Sequence, residues 1–235
     1  MNANEEILGQ IAAAEAQEVS REIAAARRTP QGARGAAVKF YPRFDALLTE
    51  WHATFEVKSD CKPGCSHCCS QRVDVLPHEL FALVDYVRTR FNEAEIVHLL
   101  RRAEENAAAL LPLAPVQRHF AVLTCPLLGA DGLCTVYAVR PTVCRKYHSS
   151  DVAECRLRVE HPVDFSQREL QDPHVNQAAI TVMMAVQTSW RGAGFDTEPY
   201  DLSIALAEAL HNPKLEKRWR DGKKAFSAQA LRRFD

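Results

Sequence analysis

Long apolar runs are missing from this sequence of 235 residues. No window comes near the about 18 consecutive apolar residues that a membrane-spanning helix needs, so no bilayer span is expected. A basic start followed by an apolar stretch is missing too, and MNANEEILGQIAAAEAQ does not read as a secretory signal. The expected compartment is the cytoplasm, where thiols stay reduced. Neither sign of charge is in surplus. A formal net charge of −1 sets up no global field towards nucleic acid or an anionic membrane, and neither is expected as a partner. Glycine is sparse, at nine residues, and there is no internal repeat or low-complexity linker. A Ser-His-Asp order, an H-E-x-x-H run, a phosphate-binding glycine loop and a paired-carboxylate motif are all absent, so no reaction and no catalytic residue can be named.

Cysteine is absent before residue 61 and after residue 155. Between those limits it is abundant: Cys61, Cys65, Cys68, Cys69, Cys125, Cys134, Cys144 and Cys155. The chemistry therefore belongs to the middle of the chain. A chain of this length can bury a core without disulfide staples, so clustered thiols point to metal binding or redox chemistry.

The flanks read as helices. Residues 4–28 are rich in Ala and Glu, with Leu8, Ile11, Val19 and Ile23 at helical spacing, and Thr29-Pro30-Gln31-Gly32 should end that helix. A second helix is expected over 36–57, with Pro42 in its first turn or at a kink. Pro77 suits the first position of a helix running to Phe91, and Asn92-Glu93-Ala94-Glu95 resembles a capping box opening a helix over 93–110. Helical patterns return at 173–191, 201–211 and 213–226. The basic end, Lys223, Lys224, Arg232 and Arg233, reads as a solvated helix face. Between 120 and 160 the helical period fades. Cys134–Tyr137 is a candidate strand, and Gly129–Gly132 a candidate hairpin turn.

The expected fold is mainly α: a helical domain wrapped around an irregular cysteine-rich insert with at most a short β-hairpin. Its expected parts are N-terminal helices at 1–57 with the first helix a candidate arm, a cysteine-cluster region at 58–160 containing two helices, and C-terminal helices at 161–235. Together they are expected to form one folded unit.

The stretch Asp60–Ser70, DCKPGCSHCCS, holds four thiols in nine residues. Pro63-Gly64 reverses the chain, so Cys61, Cys65 and Cys68 can converge. Thiolates select zinc, iron–sulfur clusters and Cu(I). Structural zinc favours paired cysteines, whereas three close cysteines with a remote fourth are typical of a [4Fe–4S] cluster. The same spacing occurs in the cluster loop of radical SAM enzymes, but this chain has no run of alternating strands and helices. Cys65-Ser66-His67-Cys68 also has the thioredoxin-type C-x-x-C form without the βαβ context that motif needs. Adjacent side chains such as those of Cys68 and Cys69 point apart, so one thiol of the pair can serve each of two four-ligand sites. One or two metal centres therefore remain open. His67, His119 and His148 are candidate substitute ligands, though such histidines more often lie beside a site than in it. Arg140, Arg145, Lys146, Arg156 and Arg158 outnumber Asp151 and Glu154 nearby. They either balance the charge of metal-bound thiolates or recognise an anion.

Several blocks in order resemble the YkgJ-type cysteine-cluster proteins, a zinc- or iron-chelating family. They are Cys61-x3-Cys65-x2-Cys68-Cys69, Cys125-Pro126-Leu127-Leu128, Gly132-Leu133-Cys134-Thr135-Val136-Tyr137 and Arg140-Pro141-x2-Cys144-Arg145. The resemblance covers residues 58–160 and implies chelation by Cys61, Cys65, Cys68, Cys69, Cys125, Cys134 and Cys144, with Cys155 outside the matched pattern. Similar domains occur in flagellin lysine N-methylases, for which an iron–sulfur cluster is implied, but the glycine-rich SAM-binding fingerprint is missing here. Three functions follow as expectations. The first is an iron-dependent modifying enzyme, with Tyr137, Arg145, Tyr147 or His148 near the substrate. The second is a zinc-stabilised module that binds a protein. The third is a protein that stores or delivers metal. The cofactor expected is a [4Fe–4S] cluster or zinc, and the partner is an unidentified protein or small molecule.

Overall fold

Local chemistry sets most helix ends. The computed structural model describes residues 3–26, 28–163 and 171–231. Helix α1 is Ala3–Ala26. Thr29 accepts from the Gly32 amide and caps α2, Pro30–Thr54, whose first turn holds Pro30. The same Thr-Pro pair thus closes one helix and opens the next, so α2 starts earlier than expected and Pro42 lies inside it. Gly32 is required there, because a Cβ at that position would meet the Ala26 carbonyl oxygen at 2.6 Å.

Helix α3, Pro77–Arg90, begins at its proline. Helix α4, Glu93–Leu110, has a reciprocal cap: Asn92 Oδ1 accepts from the Glu95 amide, and Glu95 Oε2 accepts from the Asn92 amide. Three short helices that no periodicity signalled follow: α5 (Pro115–His119), α6 (Thr142–Lys146) and α7 (Val152–Glu160). Asp172 and Asp201 then cap α8, Pro173–Gly192, and α9, Leu202–His211. Helix α10, Lys214–Arg220, stops short of the expected 226 at a turn where Gly222 has φ 79°. Lys223 and Lys224 therefore lie beyond a helix rather than on its face, and Lys224 pairs with Asp196 and Glu198. Arg232 and Arg233 lie outside the described residues.

Ten α-helices and one two-stranded sheet make up the regular structure of the described residues, which bears out a mainly α fold. The sheet is not the expected hairpin. β1 (Asp74–Val75) pairs antiparallel with β2 (Tyr200–Asp201), Asp74 opposite Asp201 and Val75 opposite Tyr200. Cys134–Tyr137 is not a strand either: it holds one isolated bridge, Leu128 to Cys134, and the start of a 3-10 turn at Tyr137–Val139. The tight turn at Gly129–Gly132 does form. The Gly129 amide donates to Leu133 O, and Gly132 takes φ 77°.

The helices bury one apolar cluster. α1 packs along α8 and α2, α2 on α3, and α4 on α9. Val19 and Ile23 are buried, so α1 is a packed element and not an arm. Phe44, Leu80, Leu83, Trp190, Leu206 and Trp219 are each sealed from solvent. Each such side chain contributes about 1.5–3 kcal/mol by burial. Trp190 and Trp219 contact Phe195 at ring-centre distances of 5.1 and 4.8 Å, and His78 stacks on Trp190 at 4.6 Å.

Candidate metal centre

The cysteine loop begins with a reversal. The Cys65 amide donates to Lys62 O, and Gly64 has φ 86°. Cys68 and Cys69 then sit in a 3-10 turn, His67–Ser70. Successive side chains on such a turn usually diverge by about 120°, yet these two thiols hydrogen-bond with one another, so they do not point apart as expected.

Polar ties bring the remote cysteines to this loop. On one side, the Asp60 amide donates to Ser149 O at 2.8 Å, and the Val152 amide donates to Asp60 Oδ2 at 3.3 Å. These bonds fasten the loop to the start of α7, which packs on the His67–Ser70 turn and carries the buried Cys155. On the other side, the Cys125 amide donates to Cys69 O at 2.7 Å, and the Leu123 amide to Ser70 O at 3.3 Å. From Cys125 the chain enters the turn that leads to Cys134. A Cβ on Gly132 would stand 3.4 Å from Gly64 O, so the two glycine turns lie against each other. Cys144 is on α6, whose first amide is held from below: Thr142 N and Oγ1 donate to Glu79 Oε1 at 2.7 and 2.8 Å.

Several of these anchors escaped the sequence reading. Glu79 is a buried carboxylate that also accepts from the Leu76 amide. Its place three residues into a proline-led helix was the available signal. Arg102 of α4 donates to Leu128 O at 2.7 Å and Cys125 O at 2.9 Å, and nothing in the sequence singled it out. Asp45 of α2 accepts from Arg145.

The candidates beside the thiols fall into separate places. Arg145, 8% exposed, is tied to Asp45, Ala138 O and Arg140 O, with its guanidinium 4.2 Å over Tyr41. It joins α2 to α6 and does not project towards solvent. Arg140 lies 4.0 Å over the ring of the exposed Tyr137. The Tyr147 hydroxyl accepts from Gln71. His148 is buried and fully engaged: Nδ1 faces Lys146 O at 3.0 Å and Nε2 accepts the Asp172 amide at 2.8 Å. With both nitrogens occupied it is not a substitute ligand. His119 rests against Phe120 on α5. His67 stays in the loop turn with the thiols, partly buried.

All eight cysteines are free thiols. A hydrogen bond with Cys69, and then burial, push the Cys68 thiol far up. Burial raises Cys125 to about 11, with the charges of Cys134 and Cys68 adding to it. Burial raises Cys144 strongly as well, followed by the charges of Cys125, Cys68 and Cys134. Cys134 is raised by burial, while the Val136 amide and Arg140 pull the other way. Cys155 is raised by burial, eased by Ser149 and raised again by Cys61, Cys65 and Cys68. These thiols cannot all ionise side by side unless a cation offsets their repulsion, which is the condition a thiolate-bound metal meets. The donor chemistry therefore fits a soft metal. Among the described residues, no three His, Cys, Asp or Glu side chains already stand close enough to hold one ion. Backbone ties bring the segments that carry the thiols together.

The free thiols thus gather on a polar-tied scaffold. Residues 60–172 match the model of the CxxCxxCC family, described as a putative zinc- or iron-chelating domain. All eight cysteines lie inside the matched segment. The first gap, between Cys61 and Cys65, holds three residues here. No curated protein and no solved structure matches the chain. Among the described residues no helix is long and apolar enough to cross a membrane.

Proposed function

We propose that this chain is an iron–sulfur protein of the reducing cytoplasm whose cluster holds the cysteine region in its fold. The observation that carries the reading is the place of Cys155. It is buried at the loop, where the charges of Cys61 and Cys65 bear on it. Three close cysteines and a remote fourth are the pattern of a [4Fe–4S] cluster. A structural task for the metal is supported by the scarcity of apolar core nearby. Between residues 120 and 163 the buried apolar side chains are Pro126, Leu127, Val136, Val139, Pro141 and Cys155.

Zinc is the second reading, and the same scarcity favours it, since closed four-thiolate zinc sites commonly replace a core. The protein would then be a zinc-stabilised module for a protein partner, or a carrier of the metal. Anaerobic purification with metal analysis and an absorbance spectrum decides between them. Brown protein with a broad visible band and about four irons per cluster is the expected result. Colourless protein carrying zinc overturns the iron reading, and metal-free protein with every thiol titratable overturns both.

A further inference from the structure

We propose that the joint between the cysteine region and α8 is an acid-sensitive latch, locked by the neutral imidazole of His148 and released when that ring takes up a proton.

The two bonds of the ring carry the inference. Nδ1 faces Lys146 O at 3.0 Å, and a carbonyl oxygen only accepts, so Nδ1 carries the hydrogen. Nε2 lies 2.8 Å from the Asp172 amide, which only donates, so Nε2 keeps its lone pair. Together they fix one neutral tautomer. A proton on Nε2 removes the acceptor and sets one N–H against another. The proton and the bond to Asp172 therefore exclude each other. His148 is 3% exposed, so water does not replace the lost bond while the joint stays closed.

His148 stands between α6, which bears Cys144, and α7, which bears Cys155. The next residue, Ser149, accepts the Asp60 amide that fastens the cysteine loop. Asp172 caps α8 through the His174 and Val175 amides. One other bolt crosses the same seam: Lys146 Nζ donates to Gln171 Oε1 at 3.0 Å and to Asn176 Oδ1 at 2.6 Å. Its acceptors are neutral amides, so acid leaves it in place. The remaining titratable groups at this corner come from three elements. His52 of α2 meets His148 edge-on with ring centres 4.6 Å apart, His174 of α8 stacks on Phe55 at 5.1 Å, and Asp151 caps α7. Burial and then the charge of His148 hold His52 below its ordinary value, against the pull of Asp172.

The open joint is the form that takes the proton, and there the ring is solvated and titrates near the ordinary histidine value of about 6.5. Closure is complete above that range and weakens as pH falls through it. The open fraction should rise about tenfold between pH 7.5 and 5.5.

Hydrogen exchange of the Asp172 amide, corrected for the intrinsic effect of pH, reads the latch. Its protection should fall about tenfold from pH 7.5 to 5.5. Unchanged protection in the unaltered protein overturns the proposal, and that measurement needs no variant to fold. His148→Gln supplies a neutral acceptor of similar reach and should hold the Asp172 amide equally at both pH values. An equal fall in His148→Gln overturns the proposal, since it would place the acid sensitivity elsewhere, as in protonation of the thiols. His52→Gln should keep the fall, and its disappearance there would move the switch to His52 and overturn the assignment to His148.

Discussion

The helical frame and the cysteine region cohere by different means. The frame, built on α1 to α4 and α8 to α10, buries an apolar cluster that includes three tryptophans, Trp51, Trp190 and Trp219. The region between residues 120 and 163 buries few apolar side chains and is tied instead by backbone amides, Asp60, Glu79, Arg102 and two glycine turns. Apolar burial is non-directional and cumulative, so the frame tolerates local loss. A polar network depends on each member, because every orphaned donor has a cost. The lesson is that one chain holds a body that coheres by apolar burial and a second part that coheres by polar ties.

The largest expected effect comes from removing the metal. Chelation, or oxidative loss of a cluster, should speed hydrogen exchange across 59–70 and 120–163 while amides in α2, α3 and α9 stay protected. Melting of the whole molecule at once would erase the contrast between the two parts. Next comes Glu79→Ala, which cuts the bond between them and leaves the Thr142 and Leu76 amides without their acceptor. A loss of about 1–3 kcal/mol is expected in denaturant unfolding, and no change in the midpoint would mean that the frame does not hold α6 through this carboxylate.

The smallest effect concerns the frame alone. Burial lowers His78 from 6.5 to about 3. The unfolded chain therefore takes up a proton first as pH falls. The contribution is complete above about pH 6.5 and is lost on acidification towards 3. His78→Phe, which keeps a ring against Trp190, should flatten this acid limb and gain about 1.4 kcal/mol relative to the parent at pH 5.5. An unchanged acid slope would show that His78 titrates like a solvated group.

Much of the frame was legible because capping and periodicity are local. Pro77, the Asn92 box and the apolar stripe of 173–191 each announce a helix within a few residues, and α3, α4 and α8 follow them closely. Pro30 misled, since one dipeptide can end a helix and start another. The short helices α6 and α7 were invisible, being too brief to show a period. In the site, cysteine spacing singled out candidate donors, but the anchors are long-range. Glu79 meets Thr142, Arg102 meets Cys125 and Leu128, and Asp45 meets Arg145. Nothing near any of these residues in sequence encodes its partner. The basic excess that suggested anion recognition proved partly internal, with Arg145 used to staple α2 to α6.

The two-residue pairing of β1 with β2 imposes a schedule on synthesis. It joins Asp74 to Asp201, and Arg72, three residues past the last thiol of the loop, bonds to Asp201 as well. Val73 and Ala230 receive amides from Leu202 and Asp201 in the same seam. The exit of the cysteine loop is thus fastened by residues that leave the ribosome long after every cysteine has emerged. During that interval the loop is a nascent thiol cluster with an open end, and contacts of such separation form late. A stretch of chain made well after the thiols thus closes the exit of their loop.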